Sequence, residues 1–257
     1  MTKIQMLLSL SYKFEFFTNL LTRFILLFVT AFFWKAAYSN LGTVGDISQN
    51  QMLTYSVISL IMSSIFSVRV ENTIHSRVRM GNVAVDFIKP VNIFLMYLTE
   101  DIGHMVNSLL QTALPILICS SLFIIVPLPA SFAHFLLFLV SAALSYAILW
   151  LISAIFGLFY FWFIEMGPVG EIKNYLVQIL SGVFIPIWFF PQVIQDILKF
   201  LPFIYIYQHP IGIYIGRTPF PEALMGLVVQ LVWIALFTML FKLLQKRVMG
   251  NILVQGG

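Results

Sequence analysis

An all-α integral membrane protein with six transmembrane helices is the fold class the sequence predicts, and three observations predict it. The chain of 257 residues is 60% hydrophobic and 9% charged, with a mean hydropathy of +0.97, whereas a soluble domain carries roughly 25% charge. So little charge cannot cover a water-facing surface. Apolar runs of about 20 residues, the length that crosses a hydrocarbon core about 30 Å thick, recur along the chain. Lys and Arg gather in certain segments between those runs, the bias that marks cytoplasmic loops. The net charge of +4 is therefore a topology signal and not a nucleic-acid one.

Residues 1–16 mix Leu and Met with Lys3, Lys13 and Glu15, too much charge for a span. An interfacial helix on the cytoplasmic face is expected there, with a frayed start of the first span as the alternative. Residues 17–38 read as the first span. No basic, apolar and small-residue regions succeed one another at the start, so no cleavable signal peptide is expected. Arg23 lies one to two turns into this span and is expected to snorkel to the cytoplasmic headgroups. Residues 39–51 carry Asp46 and no cation, an external loop. Residues 52–68 read as the second span, where Tyr55, Ser59 and Ser63 recur every four positions on one helix face. That stripe fits close helix packing and also the lining of a substrate path.

Residues 69–92 form the longest polar, cation-bearing insert, with Arg69, Arg77, Arg79 and Lys89 interleaved with Glu71 and Asp86. Each charge at the bilayer centre costs about 2.5–3.5 kcal/mol, so the insert must protrude, and its cations place it in the cytoplasm. It suits a docking site for a soluble partner; a solvated loop that only sets topology is the competing reading. The third span begins apolar at residues 93–98, is interrupted by Glu100, Asp101 and His104, and runs clean over 105–127. The acidic pair sits at the cytoplasmic edge, where Asp101 is expected to meet Arg23. Pro115 predicts a kink.

Residues 126–131 form a tight external turn. The fourth apolar run, 132–164, would reach roughly 50 Å as a helix and must tilt or project. Residues 165–174 form a short cytoplasmic link, and 175–190 a barely sufficient fifth span. Residues 186–221 hold Pro186, Pro191, Pro202, Pro210, Pro219 and Pro221, which forbid one continuous helix. An external re-entrant hairpin of short helices is expected, shielded by protein because lipid cannot satisfy its free backbone groups. Residues 223–244 complete the sixth span. With both termini inside, the cytoplasmic side carries Lys3, Lys13, Arg69, Arg77, Arg79, Lys89, Lys173, Lys242, Lys246 and Arg247, against Lys199 and Arg217 outside.

Catalytic signatures are absent. No GxxxxGK[ST], HExxH or CxxC occurs, and Cys119 is the single cysteine. His75, His104, His134 and His209 lack metal-ligand spacing. Span centres are nearly free of charge, which argues against an ion-driven carrier or an ion channel. A membrane body with a docking insert and no motor of its own asks for energy from another subunit.

These features together resemble the type-two permease family of ABC exporters over nearly the whole chain. The residues that carry the likeness are RMGNVAVDFIKPVN at 79–92, similar to the family's small-Gly…Lys-Pro segment, SGVFIPIWFFP at 181–191, and the terminal Val254-Gln255-Gly256-Gly257. The resemblance implies a single permease domain over 1–257, paired with a second, identical or related permease and two cytoplasmic ATPase subunits that hold ATP and Mg. This chain would bind no cofactor itself and would be no enzyme. The insert would be the coupling helix, with Arg77, Arg79, Gly81, Val83, Asp86, Phe87 and Lys89 contacting the ATPase. Phe28, Tyr55, Ser59, Gln178 and Phe184 would line the cargo path. The resemblance implies export of a drug, peptide antibiotic or lipid-like amphiphile across a bacterial inner or plasma membrane. A non-transporting scaffold or immunity protein is the alternative. An intramembrane lipid-modifying enzyme would need convergent acid, base or nucleophile residues that the chain does not offer.

Overall fold

The computed structural model describes residues 13–39, 43–44, 47–83, 86, 92–123, 128–163, 166 and 168–255. Phe87 and Lys89, most of the expected interfacial helix including Lys3, and the terminal glycines lie outside the described residues. Helix α1 covers Lys13–Tyr38, and a two-residue antiparallel pair, β1 Thr43–Val44 with β2 Ile47–Ser48, turns the chain. Helix α2, Gln49–Ile65, starts from a capping box in which Ser48 and Gln51 satisfy each other's backbone N–H groups. After a break at 66–69, α3 covers Val70–Arg79. Helix α4, Ile93–Ser108, is capped by Asn92, whose side chain accepts from Phe94 N and Leu95 N.

A π turn over Leu109–Ala113 joins α4 to α5, Leu114–Phe123. The expected effect of Pro115 takes this form. Its ring excludes the carbonyl of Gln111 from the regular ladder, and the wider turn just before it absorbs the mismatch. Helix α6, Phe132–Phe159, is capped by Ser131 and ends before the end of the apolar run at 164, so its 28 residues span about 42 Å. Helix α7 covers Val169–Leu180. Short pieces follow: a 3-10 turn at Ile187–Phe189, α8 at Gln192–Leu198, a second 3-10 turn at Phe203–Tyr205 and α9 at Gln208–Tyr214. Helix α10, Phe220–Gln255, begins with Pro221 in its first turn, where no donor is needed.

Among the described residues five helices are long and apolar enough to cross a membrane: Phe17–Tyr38, Gln49–Arg79, Ile93–Leu122, Phe132–Phe159 and Phe220–Val248. The expected fifth span at 175–190 is not one continuous helix. Helix α7 has 12 residues, about 18 Å, and stops at Gly182, whose φ of +82° is the left-handed conformation that closes helices. Pro186 and Pro191 prevent its resumption.

Two apolar cores hold the helices together. One gathers around Tyr55, Met52, Ile116, Ile148, Ile206 and Ile211. The other packs Val70 and Ile74 of α3 against Ile93, Phe94, Trp150, Leu158 and Phe241. Outward-facing Phe17, Leu21, Phe32, Ile118, Leu139 and Val228 remain exposed, the surface a bilayer would cover. Gln230 of α10 is fully buried and bonds Ser141, Ser145 and the Tyr205 carbonyl, tying α10 to α6 through neutral hydrogen bonds.

Candidate functional site

The insert is built around α3, which is anchored at its N-terminus and exposed at its tip. The first N–H groups of a helix lack partners and carry a partial positive charge. Here Asp101 of α4 supplies the cap. Its carboxylate accepts from Arg69 N at 3.1 Å, Val70 N at 3.0 Å and Trp150 Nε1 at 3.0 Å, and the residue is 2% exposed. The expected Arg23–Asp101 pair is therefore not formed: three N–H donors already occupy the carboxylate. In the same first turn, Glu71 pairs with Lys173 of α7, and both are buried. Lys173 also reaches Ser153 of α6 at 3.4 Å and lies 5.6 Å from the Phe156 ring centroid. Glycine makes this approach possible: a Cβ on Gly157 would stand 2.7 Å from Ile74 Cδ1, and one on Gly170 2.7 Å from Glu71 Oε1.

At the other end, Arg79, Met80, Gly81 and Asn82 are exposed, Met80 by 69%. Gly81, at φ +70°, closes the helix by donating to Val78 O. Of the residues singled out for docking, Arg79 and Gly81 sit on this tip, Val83 is half-buried beside it, and Arg77 is partly exposed. Asp86 does not fit a docking role. It is fully buried, accepts from Tyr97 Oη at 3.0 Å and lies 3.5 Å from Arg77 Nε. It fastens the insert to α4 and α3, because a buried carboxylate needs donors on all sides. Met80 was missed by motif reasoning. An exposed Met between Arg and Gly is its signal, since flexible thioethers suit protein contact surfaces.

A cavity of about 410 Å³ opens between α1, α2, α6 and α7. Four of the five residues expected along a cargo path line it: Tyr55, Ser59, Gln178 and Phe184. Phe28 does not; it is half-buried and stacks on Phe32. The hydroxyl stripe of α2 both packs against neighbouring backbone and lines the cavity. Tyr55 Oη lies 2.7 Å from Gly182 O and 2.8 Å from Gln208 Oε1, donating to one at a time, and Ser59 donates to Val183 O at 2.6 Å. These bonds seat the turn after α7, and the same side chains form the cavity wall. Sequence reasoning did not find Arg23, Ser153 and Asn174 in this wall; they come from three helices, and no local pattern links them. No cluster of His, Cys, Asp or Glu suited to a metal occurs among the described residues.

Compared with curated proteins, the chain matches none. The family model described as "ABC-2 family transporter protein" matches residues 24–251. That interval holds α3 with its buried anchors, the cavity lining apart from Arg23, and all but the start of the first long apolar helix. With nearly its whole length inside that match, the chain belongs to the ABC-2 family of transporters.

Proposed function

We propose that this chain is the transmembrane subunit of an ATP-driven exporter, with α3 as the element that receives force from a cytoplasmic ATPase. One observation carries the reading. The exposed tip of α3 is joined through its buried N-terminal half to α4 by Asp101 and to α7 by the Glu71–Lys173 pair. Helix α7 in turn presents Asn174, Val177 and Gln178 to the cavity. A displacement at the tip would move a wall of the cavity. In this reading the insert end is cytoplasmic, the proline-broken segment 186–221 is the external gate, and a second permease completes the path. ATP hydrolysis belongs to the partner ATPase, and the cargo is amphipathic. The membrane is the plasma membrane of a bacterial cell.

The test is co-purification of the tagged chain from its host in mild detergent, comparing the native chain with Arg79→Glu and Met80→Asp. Met80 is exposed, so its change should alter stability by no more than about 0.5 kcal/mol. Loss of the ATPase from both variants, with the membrane protein still folded, is the expected result. An ATPase that stays bound to both would move the docking surface elsewhere; none bound to the native chain would favour the scaffold reading. Asp86 is unsuitable for this test, because its substitution breaks the insert itself.

A further inference from the structure

We propose that the lateral cavity takes an anionic amphiphile, its phosphate or carboxylate head on Arg23 and its chain among Leu26, Leu60, Leu149 and Phe184. The inference rests on the transport reading and narrows its cargo class. The volume of about 410 Å³ lies within the range of ligand sites, roughly 300–1,000 Å³.

The sign of the charge decides the class. Among the described residues Arg23 is the only charged side chain in the lining, and no Asp, Glu, Lys or His shares the wall with it. No acid pairs with it among the described residues; the ion pairs Arg77–Asp86, Lys173–Glu71 and Lys199–Asp196 lie outside the cavity wall. Lys173 lies next to the wall residue Asn174, but Glu71 neutralises it. The cavity therefore carries one net positive charge, six residues inside an apolar span that begins at Phe17. An uncompensated guanidinium at such depth is unfavourable, and ionisable groups within spans mark ligand pathways. An oxyanion offsets it, and the planar fork of Arg suits bidentate phosphate or carboxylate. A cationic amphiphile would meet repulsion with no acid to relieve it.

Hydrogen-bond capacity points the same way. Asn174 and Gln178 line the same cavity, and their side-chain amides have no side-chain partner among the described residues, which leaves N–H donors available to an oxyanion. The apolar wall residues offer a chain the contact that a soluble anion would not use.

The experiment uses the permease–ATPase complex in nanodiscs of phosphatidylcholine. Dodecyl phosphate, dodecyltrimethylammonium and dodecyl maltoside serve as probes, read by calorimetric binding and by ATP turnover. Dodecyl phosphate should bind and stimulate turnover, and Arg23→Gln should weaken it roughly tenfold, with Arg23→Lys losing less. The other two probes should not respond to Arg23. Unchanged dodecyl phosphate affinity in Arg23→Gln, or tighter binding of dodecyltrimethylammonium, would overturn the proposal. Should Arg23→Gln fail to assemble, Gln178→Leu is read instead. It should weaken dodecyl phosphate about threefold and spare the neutral probe; no change would overturn the proposal. Nanodiscs containing phosphatidylglycerol distinguish the source of the head. Competition supports a bilayer lipid as occupant, and its absence supports a single-chain amphiphile. If no ATPase joins the chain, the transport reading fails, while binding to the isolated chain still decides the anion site.

Discussion

The two ends of the helix bundle are fastened by different chemistry. At the insert end the fasteners are charged and buried: Asp101 on the N-terminus of α3, Glu71 on Lys173, and Asp86 on Arg77 and Tyr97. At the hairpin end they are neutral: Tyr55, Ser59, Gln195 and Gln208 bond to backbone groups, and aromatic rings stack. Trp34 lies on Phe189 at 5.5 Å, and Trp188 meets Tyr55 at 4.9 Å and the Arg217 guanidinium at 4.7 Å. The ion pair Asp196–Lys199 there is exposed and adds little. The difference follows from what each end must satisfy. Prolines break the hairpin and leave neutral groups such as Ile187 N and Phe190 O, which amides and hydroxyls fit. A helix N-terminus carries partial positive charge, which a carboxylate fits. Charged anchors hold an element the more firmly, because removing one partner is far costlier than losing a neutral bond.

The comparison breaks most easily at the ion pair. Lys173→Met leaves Glu71 buried and unpaired and should cost about 3–5 kcal/mol, read as a fall in the thermal unfolding midpoint in detergent. Glu71→Gln combined with Lys173→Met should recover much of that loss. A double variant no better than the single would mean that the pair is not the anchor.

Asp101→Ala strips the cap from Arg69 N and Val70 N and the partner from Trp150, a loss on the order of 3 kcal/mol. Hydrogen exchange over 70–79 should rise before the other helices respond. Uniform exchange across the bundle would contradict a local role.

At the hairpin end, Tyr55→Phe should cost only about 1 kcal/mol. Gly182→Ala should cost somewhat more, about 1–2 kcal/mol, since φ is +82° and the new Cβ would lie 2.7 Å from Gln208 Oε1. A loss at Tyr55 as large as that at Lys173 would erase the contrast between the ends.

Near neutral pH, the smallest expected effect is a pH dependence confined to the proline-broken segment. His209, outside the five long apolar helices, has its imidazole held down to about 4 by burial, against about 6.5 when free. The fold therefore favours the neutral ring. That contribution is complete above pH 6.5 and is lost as pH falls toward 4. Proteolysis of 186–221 should quicken over that window, and His209→Gln should flatten the response.

Much of the membrane character was legible in the chain. Hydropathy and the distribution of Lys and Arg marked the long apolar helices because solvent preference is a property of each residue. The insert was found for the same reason, its polarity being local. The proline-broken segment was recognised because Pro acts on its own backbone. The fifth apolar stretch was misjudged because composition permits a span while Gly182 ends the helix after 12 residues.

The cavity residues show the same division. The four-residue spacing of Tyr55 and Ser59 put them on one face of α2, but spacing alone left packing and lining undecided. Only the folded chain showed that they do both. The resemblance implied Phe28 as a liner of the path, and which helix face turns toward the cavity is set by neighbours.

By itself, then, the sequence determined which stretches leave water, where the chain must protrude and where helices must break, because these depend on side chains one at a time. The tertiary structure alone decided that Asp101 caps α3 instead of meeting Arg23, that Asp86 is internal, and that Glu71 reaches Lys173. Those pairings join residues 31 and 102 positions apart. A charge in low dielectric takes whichever partner packing brings within reach, and packing is a property of the whole bundle.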